Sequence, residues 1–212
     1  MTEHQNSRQE SPIERRRRNL PHPISDERYR NASLSKITDL TIEQGEKINS
    51  WLQKPTNFLF IHSGFGRGKT YIGAAIANRR WERALHSYYF NEYEIFKRLE
   101  AMKRENQNPT WYLDELGGNR YGCCNSFMIW DDFASTISGA DNSFEDAWKI
   151  NLMKHFIDLR YNQEDQAATV ITSNYSIEEL GDLVDGRVAS RLGASENLII
   201  ELFGPDKRTQ GM

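Results

Sequence analysis

Cysteine is almost missing from this 212-residue chain: there are two, side by side at Cys123 and Cys124. Neighbours in sequence cannot form an ordinary structural disulfide, and neither stands at metal-ligand spacing, so no chemistry is assigned to them. The five histidines are scattered without ligand spacing. No stretch of 18 apolar residues occurs, which excludes a membrane-spanning helix. The first 20 residues have no apolar block, which argues against a secretory signal. Glu3, Glu10 and Glu14 argue against a mitochondrial transit peptide. A protein of the reducing cytoplasm with no membrane partner is the expectation. An excess of positive charge is missing too: 27 basic residues face 30 acidic ones, for a net charge of −3. As an average, that balance argues against nucleic acid.

What is present is an alternation of short apolar runs with longer helical stretches. At about 150 residues per domain, the length suits one domain with an appendage or two small domains. Residues 1–30 hold three prolines, few apolar residues, and seven basic groups against five acids, including four consecutive arginines at 15–18. This composition predicts a flexible basic arm, a contact for nucleic acid or an acidic partner. The folded domain is expected over 31–208, with a tail at 209–212. The mean hydropathy of −0.74 suits a chain with part of its length outside the core.

Five runs, 57–63, 86–91, 126–132, 168–174 and 197–203, read as buried strands. Continuous apolar runs of this kind suit the interior of a parallel sheet. Between them, helices are expected over 41–53, 69–84, 92–104, 144–161 and 177–192. Strand and helix in alternation predict a doubly wound α/β layer. The acidic segment 133–146 reads as a solvated connector, and Gly117, Gly118 and Gly122 mark a turn.

The first strand runs into Ser63, Gly64, Phe65, Gly66, Arg67, Gly68, Lys69 and Thr70, followed by a helix that opens with Tyr71. Strand, glycine-rich loop and helix in that order form a P-loop context. Glycines let the backbone curl so that several N–H groups face one phosphate cluster, and the helix N-terminus adds its positive end. Lys69 is expected to reach the β- and γ-phosphates of ATP, and the Thr70 hydroxyl to ligate Mg²⁺. Ser63 stands where the motif has glycine, which is tolerated if its dihedrals are ordinary. The competing account is a glycine-rich turn that happens to precede Lys-Thr.

A phosphate loop needs a metal-side acid at the end of another strand. Phe127 to Asp132 supplies two. Asp131 is expected to hold Mg²⁺ and Asp132 to act as general base toward the attacking water. Two adjacent acids buried at a strand end are costly without a cation. A later strand ends in Thr172, Ser173 and Asn174. An amide there can hydrogen-bond the γ-phosphate or the attacking water; an Asn at a strand end is otherwise a turn residue.

The ordered set SGFGRGKT, FMIWDDF, LRYNQEDQAATVITSN and GRVASRL resembles the DnaC/IstB-type AAA+ ATPases. Their members load replicative helicases or assist transposition, and YRNASLSKI also looks like the segment ahead of their core. The resemblance spans about residues 29 to 208. It implies a P-loop three-layer sandwich with a five-stranded parallel sheet of order 5-1-4-3-2, with ATP at the carboxyl ends of the strands. It also implies an arginine finger in trans, Arg191 by the match, with Arg187 four residues earlier on the same helical face. The alternative for both is a salt bridge to Asp182 or Asp185. Arg208 looks like the late arginine that some relatives use; no helical lid domain is expected after the last strand. Many relatives have Glu where Asp132 stands, and the shorter acid suits an enzyme that is weak until assembled. A finger in trans builds rings or open spirals.

The negative average charge conceals a basic region. Residues 79–104 carry seven basic groups against four acids, interleaved with Tyr88, Tyr89, Phe90, Tyr93 and Phe96. Basic plus aromatic is a composition for single-stranded DNA, and Tyr93, Phe96, Lys97 and Arg98 are the candidate contacts. The competing account places Tyr93 and Phe96 on the helix's buried stripe. The expected partners are a replicative DNA helicase, single-stranded DNA and further copies of the chain. The alternatives are a transposition helper working on duplex DNA with a transposase, and, less well supported, a metabolic P-loop kinase.

Overall fold

The structure, a computed structural model, describes residues 11–38, 40–116, 127–138, 144–163 and 168–206. Cys123, Cys124, the three glycines at 117, 118 and 122, and Arg208 lie outside the described residues. Strands β1 (Phe58–His62), β2 (Tyr88–Asn91), β3 (Met128–Phe133), β4 (Thr169–Ser173) and β5 (Leu198–Glu201) form one sheet, every pairing parallel, in the order β2-β3-β4-β1-β5. This is the expected order read from the other edge. The central strands β1, β3 and β4 are almost wholly buried because both faces are covered. In β1, Phe58 and Phe60 enter one core with Trp130 and Phe156, while Leu59 and Ile61 enter the other with Ile72 and Ile76. Alternation of side chains along one strand thus feeds two cores, and the layers are helix, sheet, helix.

The helices are α1 (Pro12–Arg18), α2 (Ile42–Trp51), α3 (Lys69–Glu82), α4 (Glu92–Arg104), α5 (Pro109–Leu116), α6 (Phe144–Tyr161), α7 (Ile177–Leu183) and α8 (Gly186–Leu192). Among the described residues no helix follows β5. The α3 helix lies close on the sheet because its inner face is small: a Cβ at Gly73 would stand 3.4 Å from Ile129 and 3.6 Å from Thr172 and Tyr89.

Three expectations change. The stretch 177–192 is two helices, since Asp185 leaves the helical conformation and its carboxylate accepts from the Arg187 N–H at 2.8 Å, starting α8. The α5 helix was not expected; Asn108 caps it by accepting from Thr110 N at 3.0 Å, and Tyr112 and Leu113 are buried. Finally, the end of the presumed flexible arm is packed. Ser11 and Glu14 form a capping box on α1. The Trp81 indole donates to Leu20 O at 3.3 Å and lies between the His22 ring and the Arg17 guanidinium. Ile24 and Ala32 are buried. The Asn78 amide of α3 donates to the carbonyls of Tyr29, Arg30 and Ala32 at 2.9, 3.1 and 2.9 Å. Residues 20–37 therefore strap the outer face of α3, and this strap belongs to the folded body.

Candidate nucleotide site

The loop 63–70 joins the carboxyl end of β1 to α3. Gly66 and Gly68 have φ of 70° and 81°, a conformation that side chains resist. Ser63 is not among the positive-φ residues, so serine is accommodated where the motif has glycine. Its hydroxyl donates to Gly64 O at 3.0 Å. Lys69 is buried and folds back over the loop, donating to Ser63 O at 2.9 Å and Gly64 O at 2.8 Å. Arg67 donates to Leu202 O at 3.2 Å, and the Asp206 carboxylate fills the space that a side chain at Gly66 would take. The segment after β5 thus braces the loop. Phe65 is exposed, and the Tyr71 hydroxyl accepts from Ser33 N at 3.3 Å.

The acid pair lies where β3 breaks register, between Trp130 and Phe133. Asp132 and, just beyond the strand, Ala134 take φ of 66° and 67°. A bulge of this kind re-aims side chains and is common beside sites. Asp131 is only 2 % exposed and accepts from Thr172 Oγ1 at 2.6 Å. The same Thr172 oxygen accepts from Asp132 N at 2.9 Å, so one hydroxyl of β4 ties both acids. Burial pushes the Asp131 carboxyl up, against the pull of its hydroxyl donors, chiefly Thr172. Asp132 Oδ1 accepts from Asn174 Nδ2 at 2.8 Å. Asp132, Asn174, Lys69, Thr70 and Tyr29 of the strap share a cavity of about 330 Å³ with the glycine loop. A second cavity, of about 320 Å³, shares Tyr29 and Thr70 with the first and is also lined by Asp131.

Among the described residues no group of three or more His, Cys, Asp or Glu converges on one point. Thr70 and Asp131 offer oxygens alone. That donor set suits a hard divalent cation completed by water and phosphate oxygens, and the buried Asp131 carboxylate fits it.

The remaining candidates are distributed as follows. Arg187 and Arg191 both face Asp158 of α6. Arg187 Nη2 stands 3.4 Å from it and its side chain is 63 % exposed; Arg191 is 12 % exposed and lies over the Tyr161 ring. Asp185 pairs with Lys154 at 2.8 Å instead. On α4, Tyr93, Lys97 and Arg98 are exposed, with Arg98 stacked on Tyr112. Phe96 is corrected: it is 2 % exposed, set among Trp130 and Trp148, and has no face for a base. The buried-stripe account holds for Phe96 and not for Tyr93.

Two residues that hold candidate site residues or their surroundings had no signal in sequence. Glu92, the first residue of α4, is fully buried. It accepts from Trp130 Nε1 at 3.2 Å, Ala134 N at 2.6 Å, and Thr136 N and Oγ1 at 2.9 Å each. It therefore pins the turn after the acid pair, where Phe133, Ala134 and Ile137 are buried, so this part of 133–146 is no solvated connector; residues 139–143 lie outside the described residues. Asp158 is the other, because a carboxylate in the middle of a helix gives no hint of its partner.

The sheet order, the loop at the end of β1 and the acids at the end of β3 define a P-loop α/β fold. Solved structures agree. The chain is similar to the DnaC helicase loader, with 20% identity over 84% of this chain and 100% of that one, at a TM-score of 0.62. It is similar to DnaI, with 21% identity over 92% and 100%, at 0.64. The replication initiator DnaA bound to AMPPCP and single-stranded DNA matches at 15% identity over 85% of this chain and 51% of that one, at 0.60. No family model matches the sequence, and no curated protein matches it. No helix among the described residues is long and apolar enough to cross a membrane.

Proposed function

We propose that the chain is an ATP-dependent loader of a replicative DNA helicase that works as a self-assembling AAA+ ATPase. The observation that carries this is the gathering of Lys69, Thr70, Asp132 and Asn174 around one cavity at the carboxyl ends of β1, β3 and β4, with Asp131 tied to Asp132 through Thr172, on a fold shared with DnaC and DnaI. In this reading the backbone N–H groups of residues 64–70 cradle the phosphates, with Tyr71 beginning the helix behind them. Lys69 leaves its loop carbonyls for the phosphate oxygens. Thr70 and Asp131 hold Mg²⁺, which neutralises phosphate charge when bound. Asp132, held by Asn174, presents its other oxygen to the attacking water. Arg208 is assigned to the nucleotide by resemblance alone. Arg191 or Arg187 completes a neighbouring copy's site, and the exposed Tyr93, Lys97 and Arg98 contact single-stranded DNA.

Lys69→Ala tests the engine. Loss of one charge-assisted phosphate contact lowers ATP-analogue affinity by about tenfold to a hundredfold, measured by fluorescence titration. Retained affinity removes Lys69 from the site. Pull-down with the replicative helicase tests the role. Full chain and a chain lacking residues 1–18, which spares the packed strap, are compared. Capture by the full chain supports the loader. Failure of both, with duplex DNA binding retained, favours the transposition helper.

A further inference from the structure

Tyr89 carries a polar group that packing does not explain. It lies on β2, one residue before the pair Phe90 and Trp130 and two before Asn91, which is in register with Asp131. Its ring presses on the glycine of α3, where a Cβ would stand 3.6 Å from Tyr89 Cε2. A phenylalanine would make those contacts equally well. The hydroxyl is buried and makes no hydrogen bond of ordinary geometry among the described residues, although it stands beside the Asp131 carboxylate. Buried polar atoms are ordinarily bonded, and an exception calls for a reason.

The surroundings give one. Tyr89 lines the second cavity with Thr70, Asp131, Asn91 and the strap residues Asp26 and Tyr29. At about 320 Å³ this space is roomy and polar enough for ordered water. It is lined by the two residues whose oxygens suit a divalent cation, whereas Asp132 and Asn174 line the first cavity. A phenol is a hydrogen-bond donor at neutral pH, and this one faces the carboxylate assigned to the cation in the proposed site.

We propose that Tyr89 is a positioning residue of the metal half of the nucleotide site: its phenol donates into the cavity beside Asp131 and Thr70 and orients that carboxylate and the hydration shell of the cation. The inference rests on the reading of Lys69, Thr70 and Asp131 as a nucleotide and cation site. Partners behind a metal's direct ligands fix their orientation and set affinity.

Tyr89→Phe in the full chain tests it by thermal shift, with a non-hydrolysable ATP analogue, in EDTA and across a Mg²⁺ titration. The free variant melts at or above the parent, since it loses only a hydroxyl without a hydrogen bond of ordinary geometry. Analogue binding in EDTA is unchanged. The Mg²⁺ concentration for half of the metal-dependent shift rises about tenfold. An unchanged Mg²⁺ midpoint overturns the proposal. So does a variant that melts lower and binds more weakly in EDTA as well, because the hydroxyl then serves the fold. A parent chain with no analogue-dependent shift in either condition overturns the underlying nucleotide reading, and the proposal with it.

Discussion

Glu92 shows how much one residue's meaning depends on what surrounds it. In sequence it is an acid opening a helix, an ordinary partner for the helix dipole. In the structure it is enclosed by Trp130, Ala134 and Thr136. Burial pushes its carboxyl up to about 7 from the ordinary 4.5, with the donors of Thr136 and Ala134 pulling the other way. A folded-state value above the unfolded one gives stability that is complete below pH 4.5 and lost as pH rises through about 7. The displacement corresponds to about 3 kcal/mol. Urea unfolding of parent and Glu92→Gln from pH 4.5 to 8 should therefore show the parent losing about 3 kcal/mol relative to the variant. A constant difference across that range refutes the account. The loop residues 63–70 behave oppositely: their identities and order alone announce them, because glycines before Lys-Thr have few other uses between a strand and a helix.

Among the elements, the strands and the long helices α3, α4 and α6 were legible, since the chain alternates apolar runs with helical stretches. The first part of the strap over α3, residues 20–30, was not. Its composition, polar and with two prolines, reads as a free arm. The strap is held by single side chains of α3, Asn78 and Trp81, whose partners are backbone carbonyls that any sequence possesses. Asn78→Ala leaves three strap carbonyls without their donor, a loss of about 2 kcal/mol. The expected outcome is a matching drop in unfolding free energy, together with faster tryptic cleavage after Arg28 and Arg30. Unchanged cleavage would show that the strap is held elsewhere. The bulge in β3 was equally hidden, because register is a property of two strands and Asp131-Asp132 names only one of them.

At the scale of the whole molecule, the proposed assembly turns on Arg187 and Arg191. Both are engaged within the chain by Asp158, so a finger reaching a neighbour's ATP must first leave that carboxylate. If Arg191 acts in trans, the parent's hydrolysis rate per chain rises with protein concentration. Arg191→Ala abolishes that rise, by about a thousandfold at saturation, and leaves ATP affinity intact. Loss of affinity without loss of the concentration dependence assigns Arg191 to the fold, and the same assay on Arg187→Ala separates the pair. The amino-acid sequence by itself determined the α/β alternation, the phosphate loop and the acid pair, because apolar periodicity and local loop chemistry are properties of neighbours along the chain. Only the tertiary structure decided which acids are buried, that Phe96 is core while Tyr93 is surface, that Asp158 holds the arginines, and that Tyr89 faces Asp131. Those facts depend on strand register and on helix faces meeting across long separations, where distance in space no longer follows distance in sequence.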